Sequence, residues 1–402
     1  MRLDARWRSL IAVLLYQNMA SFTALALPPA LPFMGSRLEL TASVAGLLMF
    51  TLYLSASLAA IPMGVMSDRV EERRLAAISL VILSIGMAIL PRSSSLTGLL
   101  LVTILIGATY SLSAPLTSRM VALWFGGHER ATAMGVKQSG FTTGAALASF
   151  IIPYLATAGD LDLAFLTSSL LIMASIPPVL LIYRSPERGS IPVRGPSAVR
   201  GVLTDRRMIL FSTGAFLLAF AQLAYISHLP LFMARALKVS PLWAGMTLGL
   251  VHLAGAAGRI LLGLLSDRVH HAHRMATLGL TGTLSSAGLA TLVLLWFTET
   301  GFPQLIPIML FTGFFMIGSV GLVFTASTEI LGERVAGTAT GLVYTFLSLG
   351  NGVGPLAFGV VADTLGYPSA WGLLAGILVA HTYLIHLTRL TQTPQRMEPV
   401  RV

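Results

Sequence analysis

Twelve apolar stretches, each long enough to cross a lipid bilayer as a helix, follow one another along the 402-residue chain. A membrane-spanning helix needs about 20 predominantly apolar residues. Charged residues make up 10% of the sequence, whereas a soluble domain carries about 25%. We therefore predict an all-α integral membrane protein with twelve transmembrane helices and exclude a water-soluble protein.

The predicted spans lie near residues 10–34, 43–66, 75–91, 97–124, 132–155, 163–183, 207–233, 241–265, 276–297, 303–329, 337–361 and 368–388. The first apolar run is too long for a signal peptide, so we expect an uncleaved helix. The stretch from Arg184 to Arg207 is polar and contains Pro186, Pro192 and Pro196. The predicted domains are a six-helix bundle at 1–183, a cytoplasmic linker at 184–206 and a second six-helix bundle at 207–402.

The positive charges are distributed unequally between the two sides of the predicted membrane. Arginines crowd the two termini, the linker and the loops that follow the second and eighth spans, whereas the opposite side holds only Arg37, Arg92, Arg235 and Lys238. Because cytoplasmic loops are enriched in arginine and lysine, both termini and the linker are expected in the cytoplasm of a cell carrying the protein in its plasma or inner membrane. The net charge of +10 then reflects contact with the lipid bilayer, and nucleic acid is not an expected partner.

A duplicated loop motif relates the two halves of the chain. The sequence GVMSDRVEERR runs from Gly64 to Arg74 after the second span, and GLLSDRVHHAHR runs from Gly263 to Arg274 after the eighth. A repeat in the same orientation, six spans later, predicts two matching bundles with a cavity between them. On this motif, and on its twelve spans, the chain resembles the major facilitator superfamily.

That resemblance implies the major facilitator fold and alternating access by rocking of two six-helix bundles, with the first, fourth, seventh and tenth helices lining the cavity. It also implies a gating role for Asp68, Arg69, Asp267 and Arg268 of the motif loops. Asp68 is expected to accept hydrogen bonds from the amino terminus of span eleven, and Asp267 from that of span five. The alternative is that these charges only tie short loops to the membrane surface.

Three cations, Arg119, Lys137 and Arg259, fall within spans, whereas no carboxylate falls at a span centre. Arg259 lies eight residues before Asp267, about 12 Å from the end of its helix at 1.5 Å per residue, so its head group cannot easily reach the surface. A guanidinium suits a planar anion because it donates two parallel hydrogen bonds. The alternatives are a structural arginine bonded to backbone carbonyls or paired with Glu329, although we expect Glu329 to pair with Arg268.

The other two cations have shallower predicted positions. Lys137 is expected to reach the lipid headgroups, and Arg119 either lines the cytoplasmic half of the cavity or extends to the interface. Polar residues on the expected cavity helices complete the candidate substrate-binding set, which comprises Arg259, His252, Gln222, Tyr225, His228, Gln17, Asn18, Tyr110 and Arg119.

His228 and His252 are the mid-span groups that titrate near neutral pH. If transport is coupled to protons, one of them or the substrate carries the proton. The alternative for each histidine is a hydrogen bond that bridges two helices.

These features predict a secondary transporter for a small organic anion, similar to a monocarboxylate, that works by alternating access, as a symporter if it is proton-coupled. An arginine in span eight resembles the monocarboxylate and oxalate–formate groups, although this chain lacks their lysines in spans one and eleven and has Gly255 one turn before Arg259. The alternative is a multidrug efflux antiporter of the same superfamily. We expect a monomer without cofactor or metal.

Enzymes form the rival class. The sequence has no H-E-x-x-H, no paired aspartate cluster and no G-x-S-x-G motif, and its cysteine count of zero excludes thiolate chemistry. The run His270-His271-Ala272-His273 lies in a predicted loop beside Arg274, where solvation is expected rather than metal binding. We therefore predict that the chain is not an enzyme.

Overall fold

A computed structural model describes residues 4–34, 40–93, 95–126, 129–185, 201–268, 274–298, 300–331 and 336–391. These residues form helices joined by short connections, and no strand occurs among them. Twelve helical segments have the length and composition to cross a membrane, which confirms the number predicted from the sequence.

The twelve helices are α1 (Ala5–Met34), α2 (Ala42–Arg69), α3 (Glu72–Arg92), α4 (Leu96–Trp124), α5 (Glu129–Ala158), α6 (Leu161–Ile182), α7 (Arg206–Arg235), α8 (Pro241–Arg268), α9 (Arg274–Trp296), α10 (Phe302–Glu329), α11 (Ala336–Leu365) and α12 (Tyr367–Thr391). Several extend beyond the predicted apolar stretches, because arginine and glutamate are good helix formers at the polar ends. The proposed division at residues 184–206 stays a prediction, since 186–200 lie outside the described residues.

Four of these helices are interrupted once. The breaks in α1 and α6 precede the proline pairs Pro28–Pro29 and Pro177–Pro178, whose rings remove backbone donors. The breaks in α4 and α10 occur in corresponding helices of the two halves. The break in α4 precedes Pro115, which lies four residues after Ser111 and cannot donate to its carbonyl, whereas no proline follows the break in α10. There the hydroxyls of Ser111 and Ser319 donate to carbonyls three residues earlier, in competition with the helical pattern.

The two bundles touch mainly through α2 against α11 and through α5 against α8. A Cβ atom at Gly46 would lie 2.2 Å from the carbonyl oxygen of Pro355, so only glycine allows the close approach of α2 to α11. A Cβ atom at Gly245, near the start of α8, would lie equally close to the ring of Pro153 on α5. Both approaches lie near the start of α2 and α8, at what we call the closed end.

The other end of the bundles, where α2 and α8 finish at Arg69 and Arg268, is called the arginine-rich end. Cβ atoms built at Gly64 and Gly263 near this end would meet no atom within 4 Å. The ion pairs Arg119–Glu72 and Arg274–Glu329 at this end each lie within one bundle. Among the described residues, the bundles therefore approach each other closely at the closed end and show no such approach at the arginine-rich end.

Asp205 caps the amino terminus of α7, where the second bundle begins. Its Oδ1 accepts hydrogen bonds from the backbone N–H groups of Arg207 at 2.8 Å and Met208 at 3.2 Å, and its Oδ2 accepts one from the Arg207 side chain at 3.0 Å. The side-chain bond from Arg207, with the two backbone bonds, outweighs partial burial and holds the pKa of this carboxyl below its ordinary value.

We expect Asp205→Ala to lower the free energy of unfolding in detergent by about 1 kcal/mol at neutral pH. A depressed carboxyl pKa stabilises the fold above the unfolded-state pKa, and this stabilisation is lost as pH falls through the folded pKa. The melting temperatures of wild type and variant should therefore converge toward acidic pH, whereas a constant difference would contradict the role of the charge. Asp205→Asn is the control that keeps a capping oxygen.

Candidate substrate cavity

A cavity opens between the two bundles, at the breaks of α4 and α10. It encloses about 910 Å³ of empty space, including the part open to solvent. Helices of both halves contribute its lining residues, which are Gln17, Tyr53, Ala56, Tyr110, Ser113, Ala114, Lys137, Gln138, Phe141, Ala219, Gln222, Leu223, Arg259, Val320, Phe324, Tyr344, Leu347, Ser348 and Asn351. The described lining therefore mixes apolar, amide, hydroxyl and cationic groups and contains no carboxylate.

Arg259 of α8 extends across the boundary between the bundles. Its Nη1 donates to the backbone carbonyl of Gln138 on α5 at 3.2 Å, and its Cζ lies 5.7 Å from the ring centroid of Phe141. Its buried Nε has no hydrogen-bond partner among the described residues. The backbone bond was one alternative foreseen from the sequence, yet it occupies one of five guanidinium donors and leaves the charge without a described counter-ion.

Lys137 of α5 is the second cation in the cavity. Its side chain is buried, with the residue 6% exposed, and its Nζ lies 2.9 Å from the Ser118 hydroxyl. The expectation that Lys137 reaches the lipid headgroups is wrong, because the face of α5 that carries it turns toward the cavity. Two cations from opposite bundles therefore line one cavity.

Four of the predicted substrate-binding residues line this cavity, namely Gln17, Tyr110, Gln222 and Arg259. Gln17 also holds the helices together, since its amide donates to the Ser21 hydroxyl at 3.1 Å and its carbonyl accepts from Thr117 at 3.2 Å.

The structure places five other predicted substrate-binding residues away from the lining. Tyr225 donates to the Met309 carbonyl at 2.7 Å, and Asn18 donates to the Leu14 carbonyl at 2.8 Å. Arg119 binds Glu72 at 2.9 Å and Asp68 at 3.3 Å within the first bundle. These three side chains serve contacts between or within helices.

The two histidines are also outside the cavity lining. His228 is buried between carbonyls of its own helix and of the first bundle, with Nε2 3.1 Å from the Ala42 oxygen. His252 is buried in α8, and neither ring nitrogen has a hydrogen-bond partner among the described residues. Helix bridging, the alternative considered for both, describes His228.

The predicted gating residues lie at the arginine-rich end and are exposed. Asp68 contacts Arg119, and Asp267 contacts Arg274, so each carboxylate pairs within its own bundle. Arg69 and Arg268 end α2 and α8 on the surface. Glu329 pairs with Arg274 at 3.2 Å rather than with Arg268, which corrects that expectation.

A contact between the bundles at the closed end was not predicted. Asp363, near the end of α11, accepts hydrogen bonds from the backbone N–H groups of Ala42 at 3.0 Å and Ser43 at 2.7 Å at the start of α2. The Thr41 hydroxyl accepts from the next N–H, that of Val44, at 3.2 Å. Together they satisfy three unpaired donors of the first turn, and the carboxylate meets the positive end of the helix dipole.

Sequence reasoning missed several lining residues, including Tyr53, Gln138, Tyr344 and Asn351. Their helices, α2, α5 and α11, were expected to lie outside the cavity lining. Pro115 marks the break in α4, but no proline marks its counterpart at Ser319, so the sequence did not indicate that the two breaks meet at the cavity. Asn351, a polar residue among the glycines of α11, was the one local sign available.

Comparison with known proteins identifies a matching protein family and a similar solved structure. The family model described as Major Facilitator Superfamily matches residues 13–355. The fold is similar to crystal structures of a bacterial homolog of the human lysosomal transporter Spinster. In its inward-facing and occupied conformation the TM-score is 0.82 at 17% identity, covering 98% of this chain and 100% of that one.

Curated relatives include an uncharacterized MFS-type transporter of Mycobacterium tuberculosis, 26% identical over 70% of this chain. That match spans 63% of the relative's length. A probable hexose phosphate transport protein of Chlamydia pneumoniae is 24% identical over 86% of this chain and 83% of its own length. The glycerol-3-phosphate transporter of Bacillus subtilis is 25% identical over 81% and 79%.

Proposed function

The chain belongs to the major facilitator superfamily, and from this premise we propose that it is a secondary transporter that moves a small organic anion across the membrane by alternating access. Its twelve apolar helices make it a multi-pass membrane protein. The substrate site is the cavity between the bundles, and the residues that bind the charged group of the substrate are Arg259 and Lys137.

One observation carries this proposal: two cations share a cavity whose described lining contains no carboxylate. A charge removed from water without a partner is costly, so such sites are hydrated or bind a counter-ion. The open arginine-rich end admits water and ions, and the two positive charges raise the local concentration of anions. Cationic drugs would meet repulsion there, which argues against the multidrug alternative.

The anionic group is a carboxylate or a phosphate ester, since a guanidinium binds the oxygens of either in a bidentate geometry. The sequence favoured an anion similar to a monocarboxylate as the substrate. The curated relatives named for hexose phosphate and glycerol-3-phosphate support a wider class that includes phosphate monoesters. We therefore define the substrate class as small organic anions of both kinds.

The orientation follows from the arginine distribution. If the arginine-rich end faces the cytoplasm, both termini lie there and the described state is open to the inside. Return to the outward-open state requires closure of the arginine-rich end. There Asp68 would leave Arg119 and bind the amino terminus of α11, and Asp267 would leave Arg274 and bind that of α5. Arg69 and Arg268 would move with them. Opening of the other end requires release of Asp363 from α2.

Uptake into proteoliposomes tests the proposal. We expect vesicles loaded with an unlabelled anion to take up labelled small carboxylates or phosphate monoesters from outside, driven by the gradient of the unlabelled anion. Cationic dyes should not be transported. A pH gradient in a parallel series tests proton symport, in which one of the two histidines or the substrate carries the proton. Transport of the dyes without transport of any anion would overturn the proposal.

A further inference from the structure

We propose that the neutral part of the transported anion carries hydroxyl groups, and that Tyr53, Tyr344 and Asn351 bind them. This inference rests on the proposed transport of an organic anion and adds the chemistry of the rest of the molecule. The residues act as specificity determinants and come from other helices of the cavity than Arg259.

The cavity has two chemically different sides. Lys137 and Arg259 come from α5 and α8, which pack against each other, and form what we call the cation side. Tyr53 comes from α2, and Tyr344 and Asn351 come from α11, which packs against α2. These three form the tyrosine side. A substrate with its charged group at the cation side therefore points its remaining atoms toward hydroxyl and amide groups.

On the tyrosine side, the Tyr53 hydroxyl is a buried group that lacks a hydrogen-bond partner among the described residues. The residue is 5% exposed, its oxygen is buried, and no described group hydrogen-bonds to it. A buried hydroxyl without a partner is destabilising, so most such groups are paired with protein, water or ligand. Because Tyr53 lines the cavity, a hydroxyl group of the substrate can both donate to it and accept from it.

Tyr110 joins the two sides. It lines the cavity from α4 and lies near both Tyr53 and Arg259. Tyr344 also lies near Tyr53. The phenols therefore form one group next to the guanidinium, and a compact anion with adjacent hydroxyls can contact both sides at once.

Tyrosines outside the cavity show different surroundings. The hydroxyl of Tyr16 lies 2.9 Å from that of Ser79, and Tyr225 donates to the Met309 carbonyl. The Tyr183 hydroxyl has no hydrogen-bond partner among the described residues, but it lies near the ion pair of Glu72 and Arg119 and outside the cavity lining. Among these tyrosines, only Tyr53 combines an unpaired hydroxyl with a place in the cavity.

A site built to hydrogen-bond a substrate hydroxyl rejects the analogue that lacks it, because its own polar groups are then left unpaired. The experiment therefore compares matched anions in proteoliposomes: glycerate with propionate, and glycerol phosphate with propyl phosphate. We expect the hydroxylated member of each transported pair to be preferred about tenfold or more.

The Tyr53→Phe variant removes only the hydroxyl. We expect it to reduce this preference severalfold through slower uptake of the hydroxylated anion, with uptake of the deoxy analogue unchanged or faster. Tyr16→Phe is the matched control and should retain the wild-type preference. If Tyr53→Phe alone changes the preference too little to measure, the double variant with Tyr344→Phe should abolish the preference for the hydroxylated anion.

The outcomes separate the two proposals. Uptake of both members of each pair at equal rates by the wild type would overturn the hydroxyl inference and leave anion transport standing. A preference that survives the double tyrosine variant would overturn the assignment to these residues. Absence of uptake of every anion in the panel would overturn the proposed function, and the hydroxyl inference with it.

Discussion

Arg259→Gln is expected to reduce anion uptake by about 100-fold while the protein remains folded. Truncating a charged partner in a desolvated site typically costs 2–5 kcal/mol, and about 2.7 kcal/mol corresponds to a factor of 100. Glutamine keeps a donor for the Gln138 carbonyl but has no charge. The measurement is the initial rate of uptake in proteoliposomes at equal protein content, with the melting temperature in detergent recorded in parallel.

The melting temperature distinguishes substrate binding from a structural role. Removing a cation that has no described counter-ion should leave the melting temperature unchanged or raise it, because the desolvation penalty of the charge disappears. A large fall in melting temperature with normal uptake per folded molecule would show that Arg259 stabilises the fold and does not bind the substrate. Arg389→Gln, at the exposed end of α12, is the matched control and should have little effect on either measurement.

Asp363→Ala is expected to shift the protein toward the state that is closed at the arginine-rich end. The variant loses two hydrogen bonds to the start of α2 and the favourable interaction with its helix dipole. Loss of a capping side chain costs about 1–2 kcal/mol. The equilibrium between the two open states should therefore change by about tenfold, since 1.4 kcal/mol corresponds to that factor.

The chain has no cysteine, so introduced cysteines are its only labelling sites. Spin labels at Ile61→Cys on α2 and Ile260→Cys on α8 report the separation of the bundles, because both side chains are exposed in the halves of these helices nearest the arginine-rich end. Asp363→Ala should increase the fraction with the shorter distance. Asp68→Ala should decrease it if Asp68 gates the arginine-rich end.

Asp160→Ala is the control for this experiment. Asp160 also caps a helix at the closed end, accepting from the Leu163 N–H at 2.7 Å, but both residues belong to the first bundle. This variant should lower stability without moving the distance distribution. If Asp363→Ala leaves the distribution unchanged, or if Asp160→Ala shifts it equally, the contact of Asp363 with α2 does not hold the closed end.

Some of the polar residues expected in the cavity line it and others do not, for one physical reason. Gln17, Tyr110, Gln222 and Arg259 were expected in the cavity and line it. His228 met the same criterion, a polar group on an otherwise apolar helix, yet it bonds to the Ala42 carbonyl. A polar side chain within the membrane needs a partner, but the sequence around it does not say whether that partner is a neighbouring helix or a solute.

The sequence alone determined the number of spanning helices, the relation of the two halves and the presence of cations within the spans. These features follow from local hydropathy, from a repeated motif and from residue identity, and none of them depends on how helices pack. Only the tertiary structure shows that Lys137 and Arg259 line one cavity, that His228 lies outside it, and that Asp363 accepts hydrogen bonds from the start of α2. A spanning helix is apolar on its lipid face and on its packed face alike, so the rotation of each helix about its axis, and hence the meeting of its polar residues, is decided by contacts between helices.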